Sequence, residues 1–350
     1  MKIAHVAPFG PNTSGLYEAA RDFARADFLS GHEVYFVDKG FTRTTGQEYA
    51  PKDSIDDRGG FKVTLTDHSI LNDVDIIIDH AGIPSEWLTN KNVPIICITH
   101  GRPLCSFNME YFKKQKTYSC EAEIAKNEQV KKIVYFWPEY KPFWDVIYPE
   151  DKTCILEYPT MDQYRFCPEG EKHIIEDKHR GEFNILICDS WREDIDMFEI
   201  INGVLEAAKT IKNFKVHFYG MQTPIRPCWN VLIQEMYKRN CLGELCARMP
   251  NMEEVYRSMD AVLTPHRIIT RVIGEALLTN IPVIASEGCK VAQFTCDPHD
   301  AYSVANAIKE FVNSNQKVNK LNALEQSKHL YLENYSREMN KIYNEIIKGK

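Results

Sequence analysis

The chain alternates between short apolar runs and longer amphipathic stretches. "IAHVA" (3–7) is a compact apolar run followed by the turn-rich "PFGPNTSG". From Leu16 to Leu29 apolar residues recur at helical spacing, and Gly31 stands where a helix C-cap is expected. "EVYFVD" (33–38), "DVDIIID" (73–79) and "PIICIT" (94–99) predict further strands, the last two nearly continuous in branched aliphatics. Strands apolar on both faces and alternating with helices predict a parallel sheet covered on both sides.

The pattern then restarts. "FNILICD" (183–189), "FKVHFYG" (214–220), "ELCARM" (244–249), "AVLTP" (261–265) and "PVIAS" (282–286) predict five short strands, mostly separated by helical stretches. Between the halves lies "PEGEKHIIEDKHRGEF", polar and charged, which suits a linker. There is no internal repeat and no low-complexity tract. Two doubly wound α/β halves in one chain place a ligand in the cleft between them.

Composition narrows the class. At 350 residues and 44% hydrophobic content the chain can bury two cores. A formal net charge of -7 gives no global attraction to nucleic acid or to an anionic membrane. Eleven cysteines, with no Cys-x-x-Cys pair and no zinc-type spacing, suit reduced thiols in a cytoplasmic protein. No apolar run approaches the roughly 20 residues of a membrane-spanning helix. The opening "MKIAHVAPFG" reads as a first strand rather than a signal peptide. The expectation is a soluble protein with at most peripheral membrane contact.

Candidate chemistry centres on "RIITRVIGEALLTNIPVIAS" (267–286). With Thr270 as N-cap, Val272, Ile273, Ala276 and Leu277 share the core face of a helix, while Arg271 and Glu275 share another. One reading is an exposed ion pair worth a few tenths of a kcal/mol. Against it, Arg-then-Glu is the weaker orientation, and a cation in the first turn meets the positive end of the helix dipole. An anion bound at the helix N-terminus would account for Arg271. Residue chemistry alone leaves the two readings level.

A resemblance tips the balance. "PHRIITRVIGEALLTNIPVIAS" resembles the donor-binding signature of the glycosyltransferase group 1 family (family four). In the same order, "MKIAHVAPFGPNTSG" and "ARADFLSGHEVYFVD" look like the family's opening strand, loop and helix. "VPIICITHG" resembles the strand whose terminal histidine faces the donor, and "ILEYPTMDQYRFCPEG" the hinge signature. "NMEEVYRSMDAVLTP" and "YLENYSREMNKIYNEII" resemble the segment before the donor loop and the last helix.

The resemblance implies a GT-B fold, two Rossmann-like domains facing each other across a cleft. Residues 1–165 would bind the acceptor, 166–330 the nucleotide sugar, and the helix in 331–350 would cross back to the first domain. It implies a retaining transfer of sugar from a nucleotide-sugar donor, UDP- or GDP-linked, with no cofactor and no metal required. The acceptor would be a carbohydrate, a lipid-linked sugar or a hydroxylated nucleic-acid base. Glu275 would accept from the ribose hydroxyls, and Arg271 with the amides around Thr270 would face the diphosphate. His100 would touch the donor or stabilise the transition state; Gly15 would line the first loop. Gly220 would admit a close backbone approach to the nucleotide, and Arg248 and Met249 would lie where the base is read.

The chain departs from the family pattern in three places, the mildest being the first loop, which has only Gly15 where a glycine pair is common. Where the first of two paired glutamates should contact the donor sugar, it has Arg267. Where an arginine and a lysine should grip the diphosphate, "CDSWREDID" offers Arg192 followed by acids. Arg267 is therefore expected to supply the missing positive charge. These departures keep open a non-catalytic sugar-nucleotide-binding protein, or an epimerase on the same fold. A nicotinamide dehydrogenase is disfavoured, because the first strand lacks Gly-x-Gly-x-x-Gly. "DVD" (73–75) and "DID" (194–196) read as caps or surface charge, and His80 as a satisfied polar residue or a weaker site candidate. Residues 103–149, rich in lysine and aromatics, read first as a packed lid over the sheet edge and second as an acceptor surface.

Overall fold

A computed structural model of the chain describes residues 1–7, 15–38, 54–55, 60–64, 68–80, 92–100, 127–176, 179, 182–189, 197–220, 227–247, 249 and 251–349. They form two compact units: Met1–Asp162 together with Tyr331–Lys350, and Gln163–Leu330.

The first unit is built on an eight-stranded sheet. Its strands are β1 (Lys2–Ala7), β2 (Glu33–Asp38), β3 (Ser54–Ile55), β4 (Lys62–Thr64), β5 (Ile76–Asp79), β6 (Ile95–Thr99), β7 (Val130–Phe136) and β8 (Thr153–Leu156). Their order is β3-β4-β2-β1-β5-β6-β7-β8, and every pairing is parallel except β3 with β4. The apolar runs explain both faces of this sheet. Tyr35 and Val37 of β2 pack with Ala4, Ile77, Ile95 and Trp144 on one side, while Val34 and Phe36 pack with Ala20 and Ala24 on the other. Ala20 and Ala24 belong to helix α1 (Gly15–Leu29). Gly31 has φ +84, and the His32 N–H donates to the Asp27 carbonyl at 3.2 Å, so the expected glycine cap closes α1.

Strands β7 and β8 were not foreseen. Lys131 and Lys132 interrupt the apolar run of β7; Lys131 is exposed, and Lys132 reaches Glu345 at 3.0 Å. After β7, Trp144 of helix α2 (Lys141–Ile147) is buried and stacks on Tyr148, with ring centroids 5.4 Å apart. This part of the aromatic segment is packed structure; residues 101–126 lie outside the described set. The C-terminal helix, Leu332–Lys348, lays Leu332, Tyr335, Met339, Ile342, Tyr343 and Ile346 down as a buried stripe. Its Ser336 hydroxyl donates to the Ala26 carbonyl of α1 at 3.0 Å.

The second unit carries β9 (Phe183–Ile187), β10 (Phe214–Tyr219), β11 (Leu242–Cys246), β12 (Ala261–Leu263), β13 (Val283–Ser286) and β14 (Phe294–Cys296). All run parallel, in the order β11-β10-β9-β12-β13-β14. Counted from the first strand, this is 3-2-1-4-5-6, the doubly wound Rossmann order. The third strand begins and ends earlier than the "ELCARM" pattern suggests. Helices α3 (Met197–Ala207), α4 (Pro227–Lys238), α5 (Met252–Arg257), α6 (Arg271–Leu278), α7 (Ala301–Asn313) and α8 (Gln316–Ser327) complete the unit. The charged stretch after Pro168 is no bare linker. The His173 N–H donates to the Glu254 carbonyl at 3.0 Å, and Arg257 donates to the carbonyls of Arg165, Cys167 and Glu171 at 2.8, 2.8 and 3.1 Å.

A buried histidine on β10 makes this unit acid-sensitive. His217 is fully buried; its Nδ1 accepts the Glu244 N–H at 3.1 Å, and its Nε2 lies 2.8 Å from Asn184 Oδ1. Burial pushes its basicity down to about 4, so the ring is neutral in the fold. The unfolded chain takes up this proton near pH 6.5 and the native state does not. Stability is therefore complete above about pH 6.5 and is lost as the pH falls toward 4, by about 2 kcal/mol at pH 5. Glu244, whose carboxyl is lowered with the Tyr219 hydroxyl donating to it, acts in the same direction. Urea unfolding at pH 7 and pH 5 should show this loss, and a His217→Phe variant should show a shallower pH slope.

Candidate functional site

In a doubly wound sheet, ligands bind beyond the C-terminal ends of the strands, at the point where strand order reverses. In the second unit that point lies between β9 and β12. Beyond β9 stand Cys188 and Asp189; beyond β12 the chain runs Thr264-Pro265-His266-Arg267 and then enters α6. His266 Nε2 lies 2.9 Å from Asp189 Oδ1, which ties the two loops together. The Asp189 side chain is nearly buried, and its second oxygen has no hydrogen-bond partner among the described residues.

Sequence reasoning missed this pair. A polar residue closing an apolar strand was visible at Asp189, but nothing local connects it to His266. The neighbouring Cys188 thiol lies 3.2 Å from the Tyr256 hydroxyl. Burial, reinforced by the charge of Asp189, pushes that thiol well above its ordinary range, so it is an inert packing group.

Helix α6 begins where the sequence predicts it. Thr270 has the extended backbone of an N-cap, φ −89 and ψ 174; Ile273, Ala276 and Leu277 are fully buried, but Val272, expected with them, is only half-buried. The Thr270 side chain makes no capping bond, and its hydroxyl is buried without a partner among the described residues. Arg271 and Glu275 do form the i,i+4 pair. Arg271 Nε and Nη2 lie 2.9 and 2.7 Å from the same oxygen, Glu275 Oε1. The pair is largely covered, with side chains 15% and 12% exposed, so it is not the solvated pair of the simpler reading.

Arg267 is exposed and lies along Gly288, just past β13. A methyl group at Gly288 would fall 2.9 Å from Arg267 Nε and 3.0 Å from its Cβ, so the missing side chain makes room for the arginine. Gly220 follows β10 with φ +84, which an L-residue with a side chain rarely adopts. Met249 follows β11. Arg192 and Arg248 lie outside the described residues. The second unit thus gathers Arg267, Thr270, Arg271 and Glu275 on one loop and helix start, with Gly220 and Met249 at the ends of other strands.

In the first unit Gly15 opens α1, and His100 follows β6. His100 ends a file of buried imidazoles. Its Nε2 lies 2.9 Å from His80 Nδ1, and His80 Nε2 lies 2.9 Å from His5 Nδ1. His5 Nε2 in turn lies 2.9 Å from Asp27 Oδ2. His80 is therefore a bonded core residue as well as a neighbour of the candidate site. Among the described residues, no three His, Cys, Asp or Glu side chains converge as metal ligands. Asp73 and Asp75 of "DVD" instead bind Lys2, one its side chain at 2.6 Å and the other its backbone N–H at 2.8 Å.

No family profile and no curated protein matches the chain. Solved structures do match along its whole length. Sucrose-phosphate synthase from Thermosynechococcus elongatus is 14% identical over all of both chains, with a TM-score of 0.69. HepE from Anabaena, solved with UDP and glucose, is 13% identical over 99% of this chain and all of its own, with a TM-score of 0.68. A glycosyltransferase from Rickettsia africae is 14% identical over 100% of this chain and 99% of its own, with a TM-score of 0.65. The fold is the two-domain α/β GT-B fold.

Proposed function

We propose that the protein is a retaining glycosyltransferase that transfers a sugar from a UDP- or GDP-linked donor. The observation that supports this most is the start of α6 in the second unit: Arg267, Thr270, Arg271 and Glu275 gather beside the switch point of a Rossmann-ordered sheet, in a fold shared with glycosyltransferases. In this reading the backbone amides opening α6 and the Arg267 guanidinium hold the diphosphate, and Glu275 takes the ribose hydroxyls. Arg192, Gly220, Arg248 and Met249 are proposed to contact the nucleotide, and Gly15 and His100 the transferred sugar. The transfer is proposed to need no metal, because protein donors neutralise the diphosphate. The acceptor is proposed to be a carbohydrate, a lipid-linked sugar or a modified nucleic-acid base. No helix among the described residues is long and apolar enough to cross a membrane, and the proposed location is the cytoplasm.

A second reading, sugar-nucleotide binding without transfer, draws on the same site. Arg271 is engaged by Glu275, and Asp189 adds a negative charge where the diphosphate would lie. Thermal unfolding against a panel of nucleoside diphosphates and their sugars tests both. A ligand present at about a hundred times its Kd adds roughly 2.7 kcal/mol, so UDP or GDP should raise the midpoint by roughly 4 °C or more. No shift with any nucleotide would end both readings. A shift without donor hydrolysis or transfer would leave the binding protein.

A further inference from the structure

Resting on the nucleotide-sugar site proposed above, we propose that Asp189 is a specificity-determining residue whose second carboxyl oxygen, Oδ2, takes a hydroxyl of the transferred sugar. Asp189 is 4% exposed, and its Oδ1 lies 2.9 Å from His266 Nε2. Its Oδ2 is covered, yet it meets no hydrogen-bond partner among the described residues. A buried polar atom left in this way opposes folding, and an apolar side chain would fill the place without that cost.

The sheet sets the placement. Strands β9 and β12 are neighbours, paired at Ile185 with Ala261 and at Leu186 with Val262, so the chain leaves them side by side. Asp189 stands second after β9, and His266 third after β12. Their contact therefore joins the two loops of the switch point. The chain leaving β12 carries two further covered hydroxyls, those of Thr264 and Thr270, also without a partner among the described residues. Other polar groups nearby are engaged: Arg271 with Glu275, and Cys188 with Tyr256. Orphaned polar atoms thus gather at the end of the sheet where a doubly wound fold takes its ligand.

The chemistry of Oδ2 selects a hydroxyl. A hydroxyl both donates and accepts, so it completes this oxygen whether or not the carboxyl carries a proton. Phosphate oxygens at neutral pH accept only, and would complete the protonated form alone. A nucleotide sugar offers hydroxyls at its two ends, on the ribose and on the sugar. In the proposed site Glu275 takes the ribose and the amides of α6 take the diphosphate. Asp189, on the other loop, is left the sugar end. Because Oδ2 is covered, the sugar displaces that cover, and the bond forms away from water, where a substrate lacking the hydroxyl is rejected most strongly.

Titration calorimetry on the full chain tests this with UDP, UDP-glucose, UDP-galactose and UDP-xylose and, for the guanine series, GDP, GDP-glucose and GDP-mannose. In Asp189→Ala the Kd of the sugar nucleotide that the wild type binds best should rise about tenfold or more, while the nucleoside diphosphate alone weakens by no more than about twofold. Preference among the sugars should narrow with it. If Asp189→Ala does not fold, Asp189→Ser, which keeps one oxygen toward His266 and loses the other, should give the same result. An equal loss for the diphosphate and its sugars would put the contact on the ribose or the phosphates and overturns the proposal. Unchanged sugar binding in a folded variant would mean that a buried water completes Oδ2, which overturns the proposal and leaves the donor site standing. A wild-type protein that binds none of these nucleotides ends the donor site itself, and this proposal with it.

Discussion

Replacing Glu275 with alanine is expected to cost both stability and nucleotide affinity. Arg271 places two guanidinium nitrogens on one oxygen of Glu275, and both side chains are mostly covered. Truncating the acid leaves a cation at the start of α6 without its carboxylate, facing the positive end of the helix dipole. Breaking a fully buried pair in this way costs 3–5 kcal/mol; for a pair that keeps some contact with water, about 2–3 kcal/mol is expected. Binding should weaken by a further 1.5–3 kcal/mol, roughly the worth of a charged acceptor taken from the ribose hydroxyls.

The two losses separate in the double variant Arg271→Met, Glu275→Leu. It removes both charges and should recover most of the stability while recovering none of the affinity. Urea unfolding reads the first quantity, and titration calorimetry with UDP or GDP the second. Wild-type affinity in the double variant would remove Glu275 from the nucleotide site. Undiminished stability in Glu275→Ala would show that the pair contributes nothing to the fold.

That pair also shows how far the sequence can be read. Positions 271 and 275 are neighbours on any helix, so their meeting was legible, as were the core face of α6 and the strands β1, β5, β6, β9, β10, β12 and β13. Their burial was not legible, because it depends on what the rest of the chain lays over them. Strand β7 was hidden by Lys131 and Lys132, one of which finds its carboxylate at Glu345 near the far end of the chain. The histidine file was harder still. His5 sits in the apolar run "IAHVA" and Asp27 in an amphipathic helix, and each looks like an isolated exception to its pattern. The contacts that explain them join positions 22, 75 and 316 apart. Periodicity reports only the face a residue occupies; the partner waiting on that face is set by sheet order and by the return of the C-terminal helix.

Arg267→Glu is expected to weaken nucleoside-diphosphate binding about a hundredfold. Among the described residues at the ends of β9 and β12, Arg271 is paired with Glu275, and Asp189 lies 2.9 Å from His266. Arg267, exposed on this loop, is proposed to join the α6 amides in holding an anion. A guanidinium can bind phosphate through two parallel hydrogen bonds, and reversing its sign both removes them and places a second carboxylate near Asp189. The neutral Arg267→Met should lose less, about tenfold, and salt should narrow its difference from the wild type, since Arg267 is exposed. Gly288→Ala gives a control that leaves every charge in place: its methyl would crowd Arg267 Nε at 2.9 Å, so it should shift affinity in the same direction by displacing the side chain. Calorimetry with UDP or GDP and with the corresponding nucleotide sugars measures all three variants. If Arg267 instead reads the sugar, the diphosphates alone should bind Arg267→Glu within about twofold of the wild type while preference among donor sugars disappears. Equal or tighter diphosphate binding with sugar preference intact would place Arg267 outside the site altogether.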